Sequence, residues 1–530
     1  MHQPTLEIKE KRCNRMDRMI GIIDIGSNTI RLVIYEVRQS SFHPVDDFKV
    51  TARLGKHFDD DGALSETGIN ILIDTLKSCR KLIQAYDNCE VRCLATAAIR
   101  MAKNRGEIIR KIDKKIGFTV EVLKEEKEAY YGCLSATEAL SYDRGITIDL
   151  GGASTEVTLF KKRKLVQAHS FPFGAVTLQK SYAKGAVIPF EQRLQLRNYL
   201  KKELQRVPWL KNVGGIIAGL GGNARQLAQL STLYEDSVQI GIHAAEIRCT
   251  TIARIRTSFG KLNEREMMNI DVLSRERADL MNIVLEVFCA VGEWAGTSRF
   301  IVNTRGIREG VLYDMLPSKE AVATTLDKNF RLKEQVKLRG TNRLLDRYHV
   351  DKSLSKERIQ LVQRFLQSFQ DAEIINLGRK ERFLAEQAAA LFYIGQSISK
   401  SKRNRTTFSR LMSATFDGYS QKEKLLIVLM ASFKSVKSFK HMLQPYKGML
   451  SKKEVRYVRR LGALIKFCNA FIDEKCWITH IGIKQHSFAR LNFQLYVNHH
   501  APELVKYSEK QKKHVEKAFA CPVQLSFVDK

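Results

Sequence analysis

The sequence predicts an α/β protein of two related lobes followed by a mostly helical, strongly basic region. Three observations predict it. A strand–turn–strand motif occurs twice, apolar strands alternate with helical segments up to about residue 316, and beyond Pro317 long helical stretches take over.

The repeat comes first. Ile22-Ile23-Asp24-Ile25-Gly26-Ser27-Asn28-Thr29 returns about 125 residues later as Thr147-Ile148-Asp149-Leu150-Gly151-Gly152-Ala153-Ser154-Thr155. Each copy is an apolar strand ending in Asp, a turn of glycine and hydroxyl residues, and a second strand. One Asp-x-Gly turn is common in hairpins. Two copies sharing the Asp, the Gly two residues on and a following Thr point to duplication. Such turns offer backbone N–H groups to an anion. Gly26, Ser27, Asn28 and Thr29, with Gly151, Gly152, Ala153, Ser154 and Thr155, are therefore candidate phosphate binders. Two facing copies would form a clamp, and Asp24 and Asp149 at the strand ends would face a metal ion or a water.

The alternation follows. Residues 1–19 read as a leader, 20–37 and 42–54 as strands, and 72–86 as an amphipathic helix. A strand at 91–95 leads into Thr96-Ala97-Ala98-Ile99-Arg100, then come a helix at 105–117, a strand at 119–123 and a helix at 125–140. The second lobe opens with the repeat at 145–160, and a strand at 214–218 breaks into Gly219-Leu220-Gly221-Gly222 before a helix from about Ala224. The expected domains are 20–132, 133–316 and 317–530. In the last, helices are expected at 355–370, 382–399, 421–434 and 452–472, with strands only near 477–483, 488–497 and 523–528.

Charge separates the regions further. Residues 1–316 carry 47 Lys+Arg against 38 Asp+Glu, whereas 317–530 carry 41 against 19, a net +22 of the chain's +31. A field of that sign attracts a polyanion. The 10 cysteines show no zinc spacing, no apolar run is long enough to span a bilayer, and no signal peptide is evident, so a cytoplasmic protein without membrane contact is expected.

Hydrolysis of a phosphoanhydride requires the phosphate held, its charge neutralised and a water aimed in line. Beyond the turns, Arg100 follows a strand and a small-residue turn, where a guanidinium could clasp phosphate oxygens. Asp24, Asp149, Glu156 and a glutamate of Lys124-Glu125-Glu126-Lys127-Glu128-Ala129 supply carboxylates. The spacing does not choose among Glu125, Glu126 and Glu128. Gly219, Gly221 and Gly222 could bring backbone close to phosphate, although the Lys-Ser/Thr of a P-loop is absent.

Taken in order, Asp24-x-Gly-Ser-Asn-Thr, Ala95 to Arg100, Lys127-Glu128-Ala129, Ile148 to Glu156, the Gly219–Gly222 loop and Arg308-Glu309-Gly310 closely resemble the exopolyphosphatase / guanosine pentaphosphate phosphohydrolase family. That family is a branch of the actin, hexokinase and heat-shock-chaperone ATPase superfamily. The resemblance covers roughly residues 20–316 and continues more weakly beyond. It implies two ribonuclease-H-like lobes with a cleft, a homodimer, and processive release of orthophosphate from polyphosphate with magnesium or manganese. It also selects Glu128 as general base and Glu156 as a second carboxylate. Asp24 and Asp149 fall at the metal-facing positions, and Arg100 and the two turns at the phosphate-binding ones.

Two departures stand out. Gly-Gly-Ala replaces the more usual Gly-Gly-Gly in the second turn. The helical region is similar to an HD metal-phosphohydrolase domain, but Phe392-Tyr393 stands where its His-Asp would be, so no second metal is expected there. The leading functional expectation is an exopolyphosphatase whose basic region tracks the polymer. The alternatives are a guanosine pentaphosphate phosphohydrolase (with guanosine penta- or tetraphosphate as ligand), a non-enzymatic polyanion or RNA binder, and a sugar or acetate kinase.

Overall fold

The computed structural model describes residues 18–38, 41–235, 238–316, 332–473, 478–486, 490–497 and 502–529. Expectations for residues 1–17, Pro317 and Trp477 lie outside them. Residues 18 and 19, expected in the leader, already belong to the first strand.

The first sheet holds β1 (Arg18–Ile25), β2 (Ile30–Arg38), β3 (Ser41–Val50), β4 (Glu90–Ala95) and β5 (Val120–Val122) in the order 3-2-1-4-5. Strands β1 to β3 are antiparallel, and β4 joins β1 in parallel. The second sheet holds β6 (Arg144–Leu150), β7 (Thr155–Lys161), β8 (Lys164–Phe171), β9 (Ile216–Leu220), β10 (Glu246–Arg248) and β11 (Arg299–Val302). Its order, β10-β11-β9-β6-β7-β8, repeats the first sheet's 3-2-1-4-5 and adds β10 at one edge. The register repeats as well: Asp24 lies opposite Arg31, and Asp149 opposite Glu156.

Helices Glu66–Ile83 and Arg105–Ile116 cover the outer face of the first sheet with Leu72, Leu76, Ile108 and Ile112. The helix expected from Leu72 starts six residues earlier, because Ser65 caps it by accepting from the Gly68 N–H. Between the sheets runs helix Glu125–Ala139. Tyr131 packs with Ile20, Ile22 and Val33 of the first lobe, and Cys133 and Ala136 pack with Ile216 and Ala218 of the second. The expected division at 132/133 therefore falls inside one helix with an apolar contact to each lobe. Helix Ile307–Met315, expected in the second lobe, packs Val311 and Leu312 against the first sheet. The two helices cross closely at Gly310, where a Cβ would stand 2.1 Å from the Tyr131 carbonyl oxygen.

The C-terminal region is one apolar cluster built mainly from helices Lys352–Asp371, Arg379–Ala390, Gln421–Ala431 and Lys452–Asp473. The helix expected over 382–399 ends at Ala390, because Tyr393 takes a positive φ of 56° and a short 3-10 turn follows. A small sheet, β12 (Ile478–His486), β13 (Arg490–Val497) and β14 (Val523–Asp529), packs with helix Pro502–Phe519. Phe392 and Tyr393 are buried with rings stacked at 3.9 Å, and Tyr393 Oη donates to the Phe433 carbonyl at 2.8 Å. The aromatic pair thus fills core where a metal-binding pair would require polar space.

One buried carboxylate ties this region to the lobes. Asp417 accepts from Arg305 Nε at 3.2 Å, Arg305 Nη2 at 3.1 Å and Arg343 Nη1 at 2.6 Å. The paired guanidinia hold its carboxyl well below the usual carboxylate range despite burial. No helix among the described residues is long and apolar enough to cross a membrane.

Candidate active site

The two repeated turns close in the same way. Gly26 N–H donates to Thr29 O at 3.0 Å, and Gly151 N–H donates to Ser154 O at 3.0 Å. They also meet: a Cβ on Gly152 would lie 3.2 Å from the Ser27 Cβ and 3.7 Å from the Asn28 nitrogen. Their carbonyls are turned away and occupied. Gly55 N–H and Arg53 N–H take Ser27 O and Asn28 O, and Ala175 N–H and Val176 N–H take Gly151 O and Gly152 O. Among the described backbone hydrogen bonds, the N–H groups of Ser27, Asn28, Gly152 and Ala153 donate none. Ala153 does not adopt a positive φ, so its methyl fits the turn without strain.

Thr155 departs from the expected phosphate set. It is fully buried, and its hydroxyl donates to Phe173 O at 2.7 Å, because strand β7 has already begun there. Gly221 and Gly222 open helix Gly221–Ser231, which starts earlier than the expected Ala224. Gly221 has φ +76°, and a Cβ there would stand 2.5 Å from Asp149 Oδ1. Gly222 lies under the Arg277 guanidinium, and Arg277 Nη1 donates to Asn223 Oδ1 at 2.8 Å. Gly219 is a packing glycine, since a Cβ there would overlap the Phe300 ring.

Glu128 is the glutamate that the fold turns inward. It is 7% exposed, one turn into helix 125–139, while Glu125 and Glu126 face solvent. Arg100, on the short helix Ala97–Met101, donates from Nη1 to Glu128 Oε2 at 2.7 Å and to Leu123 O at 2.9 Å. Burial, reinforced by Asp149 and Asp24 against the pull of Arg100, raises the Glu128 carboxyl to about 7. Burial and Glu128 push the Glu156 carboxyl well up, although Ser170 Oγ donates to its Oε1 at 3.1 Å. Asp149 is lifted to about 6 by burial and by Asp24. Burial raises Asp24 too, opposed by Arg308, whose Nη1 donates to Asp24 Oδ2 at 3.0 Å. Asp24 and Asp149 raise Glu128, and Glu128 and Asp149 raise Glu156, so four carboxylates gather in one poorly solvated cluster, an arrangement characteristic of functional sites.

The basic side of the cleft was only partly legible. Arg308 belongs to the Arg308-Glu309-Gly310 motif, which by itself assigns it no chemical role. Beside it, Glu309 accepts from Tyr35 Oη at 2.7 Å and caps its own helix at Gly306 N–H at 2.7 Å. Arg225 stands outside every motif named above. Burial and the neighbouring Arg308 lower its pKa to about 10, and its Nη2 donates to Thr304 O at 3.1 Å. Its position three residues after Gly222 was the available signal.

Two sheets of one topology, the paired Asp-Gly turns and the crossing helices define a two-lobed fold of the actin and hexokinase type. The chain belongs to the Ppx/GppA phosphatase family, whose model matches residues 33–319. The crystal structure of the Aquifex aeolicus family member matches at 28% identity and a TM-score of 0.50, covering 56% of this chain and 97% of that one. An exopolyphosphatase from Cytophaga hutchinsonii matches at 24% identity and a TM-score of 0.52, covering 56% and 98%. A guanosine-5'-triphosphate,3'-diphosphate pyrophosphatase from Vibrio cholerae is 24% identical over 411 residues, covering 77% of this chain and 78% of that protein.

Proposed function

We propose that the protein is an exopolyphosphatase that hydrolyses the terminal phosphoanhydride of inorganic polyphosphate, with Glu128 activating the water. The observation that carries this reading is Glu128 itself. Buried near Asp149 and Asp24, held at one oxygen by Arg100 and lifted to about 7, it can accept a proton near neutrality. The N–H groups of Ser27, Asn28, Gly152 and Ala153, which donate none of the described backbone hydrogen bonds, suit the terminal phosphate oxygens. Arg100 can hold Glu128 and reach the same phosphate. Glu156 orients the water from the opposite strand. With Glu128 as base, a proton leaves the water as its oxygen attacks phosphorus, and the shortened chain departs as the leaving group.

Asp24 and Asp149 fit a divalent ion such as magnesium. They are hard oxygen donors that repel each other when both are charged, and Gly221 leaves Asp149 room. Among the described residues no three His, Cys, Asp or Glu gather as a metal cage, which suits an ion completed by substrate oxygens and water. When bound, such an ion would neutralise phosphate charge.

The choice of polymer over nucleotide rests on the net +22 of residues 317–530. The likeness to the Vibrio cholerae pyrophosphatase favours a second reading, guanosine pentaphosphate hydrolysis in the same cleft. Comparing kcat/KM for the two substrates, with magnesium at two salt concentrations, tests the proposal. Higher, salt-sensitive kcat/KM on the polymer supports it, and higher kcat/KM on the nucleotide moves the assignment to the second reading.

A further inference from the structure

The loop 303–306 joins β11 to helix Ile307–Met315 and stands between the cleft and the C-terminal region. On its inner side Thr304 O accepts from Arg225 Nη2 at 3.1 Å, and just inside the helix Arg308 Nη1 reaches Asp24 Oδ2 at 3.0 Å. Arg225 and Arg308 are both among the cations that oppose the upward shift of Asp149. Ser135 Oγ, on the helix that carries Glu128, lies 3.4 Å from both Asn303 Nδ2 and Arg305 O.

On its outer side the loop is held by the turn at Asp417-Gly418, between helices Arg403–Ser413 and Gln421–Ala431. Asp417 accepts from Nε and Nη2 of Arg305 and from Nη1 of Arg343. Gly418, at φ +84°, turns its N–H onto the carbonyl of Ala139 at 2.6 Å, where the Glu128 helix ends. Helix Leu332–Arg347 presses on the same turn: a Cβ on Gly340 would stand 2.1 Å from Asp417 O. Two adjacent residues of the C-terminal region thus touch the helix of the proposed base and the loop that holds Arg225 and leads to Arg308. Apolar packing alone could join the regions. A buried ion pair adds little net stability over such packing, but its directed bonds fix geometry.

We propose that Asp417 is a positioning residue for the cleft: acting through Arg305, it sets loop 303–306 and with it the placement of Arg308 and Arg225. The inference rests on the reading of the cleft as a phosphoanhydride hydrolase site, not on the choice between polymer and nucleotide.

The test is a double-mutant cycle on kcat/KM in the full-length protein, with Arg305→Gln, Arg308→Gln and the two together. Arg305→Gln leaves Asp417 paired with Arg343, and thermal unfolding verifies that the fold survives. Arg305→Lys, which keeps a cation against Asp417, carries the same cycle where the glutamine variant does not fold. Magnesium-dependent orthophosphate release is followed from tripolyphosphate and from guanosine pentaphosphate, and the cycle is read on the substrate the parent prefers. Arg305→Gln should lose about tenfold in kcat/KM, because small displacements at a cleft are costly. The double variant's loss should fall short of the product of the two single losses by about fivefold, since Arg305 acts through Arg308, whereas general loosening of the fold would multiply. Parental kcat/KM in folded Arg305→Gln overturns the positioning role, as do single losses that multiply in full. A parental preference for the nucleotide counts against the polymer reading alone.

Discussion

Arg100 holds Glu128 by one carboxylate oxygen, with 2.7 Å between Arg100 Nη1 and Glu128 Oε2, across 28 residues of sequence. The pair sets both the position and the protonation of Glu128, the proposed general base. Burial lifts the Glu128 pKa and Arg100 lowers it, with about 7 as the net result. A base must be deprotonated, so kcat/KM should rise with pH through about 7 and level above it. Removing Arg100 removes a lowering influence. In Arg100→Leu the rising limb should therefore move to higher pH, on top of an overall loss of activity. A pH–rate profile of both proteins checks this, and an unmoved limb would separate Arg100 from Glu128.

Gly310 sets how closely the two central helices approach. An added methyl would stand 2.1 Å from the Tyr131 carbonyl oxygen, which is backbone and cannot swing aside. Gly310→Ala should destabilise by about 1–3 kcal/mol as an overpacked contact. It should also lower kcat, because Glu128 and Arg308 ride on those helices. Urea unfolding together with steady-state kinetics measures both effects.

Asp417 should control acid stability. Its carboxyl is depressed in the folded state by Arg305 and Arg343, so its contribution is present above the unfolded carboxylate pKa of about 3.9 and fades as pH falls through and below that value. Asp417→Asn leaves two buried guanidinia unpaired and should cost about 3–5 kcal/mol near pH 7. Denaturation at pH 7 and pH 3 should show the gap between variant and parent shrinking in acid.

Gly221 should be intolerant of a side chain. Its φ of +76° disfavours an L-residue, and a Cβ would press on Asp149 Oδ1 at 2.5 Å. Gly221→Ala should displace Asp149 and lower magnesium-dependent turnover at least tenfold while the far-UV spectrum is kept. Magnesium titration of phosphate release provides the check.

Local pattern carried much of this structure. Duplication was readable because Asp24 and Asp149, and the glycines after them, serve one backbone geometry twice. Domain limits were less readable, because helix 125–139 packs on both sheets and its sequence shows one continuous helix either way. Helices start earlier than their apolar pattern where a polar cap, Ser65 or Asp351, precedes the first apolar residue. Glu128 could not be told from Glu125 or Glu126 by spacing. The choice depends on which face of the helix turns toward Arg100. Arg225, Arg277 and Arg308 converge only through tertiary folding, and each alone resembles a surface arginine. Thr155 looked like part of the turn, but strand pairing withdraws it.

The most direct test of the central claim is orthophosphate release from long-chain polyphosphate, with magnesium, by the parent protein and by Glu128→Gln. The variant should bind the polymer with parental affinity and turn it over about 10²–10⁴-fold more slowly, the loss expected on removing a general base. Turnover at the parental rate in Glu128→Gln would contradict it.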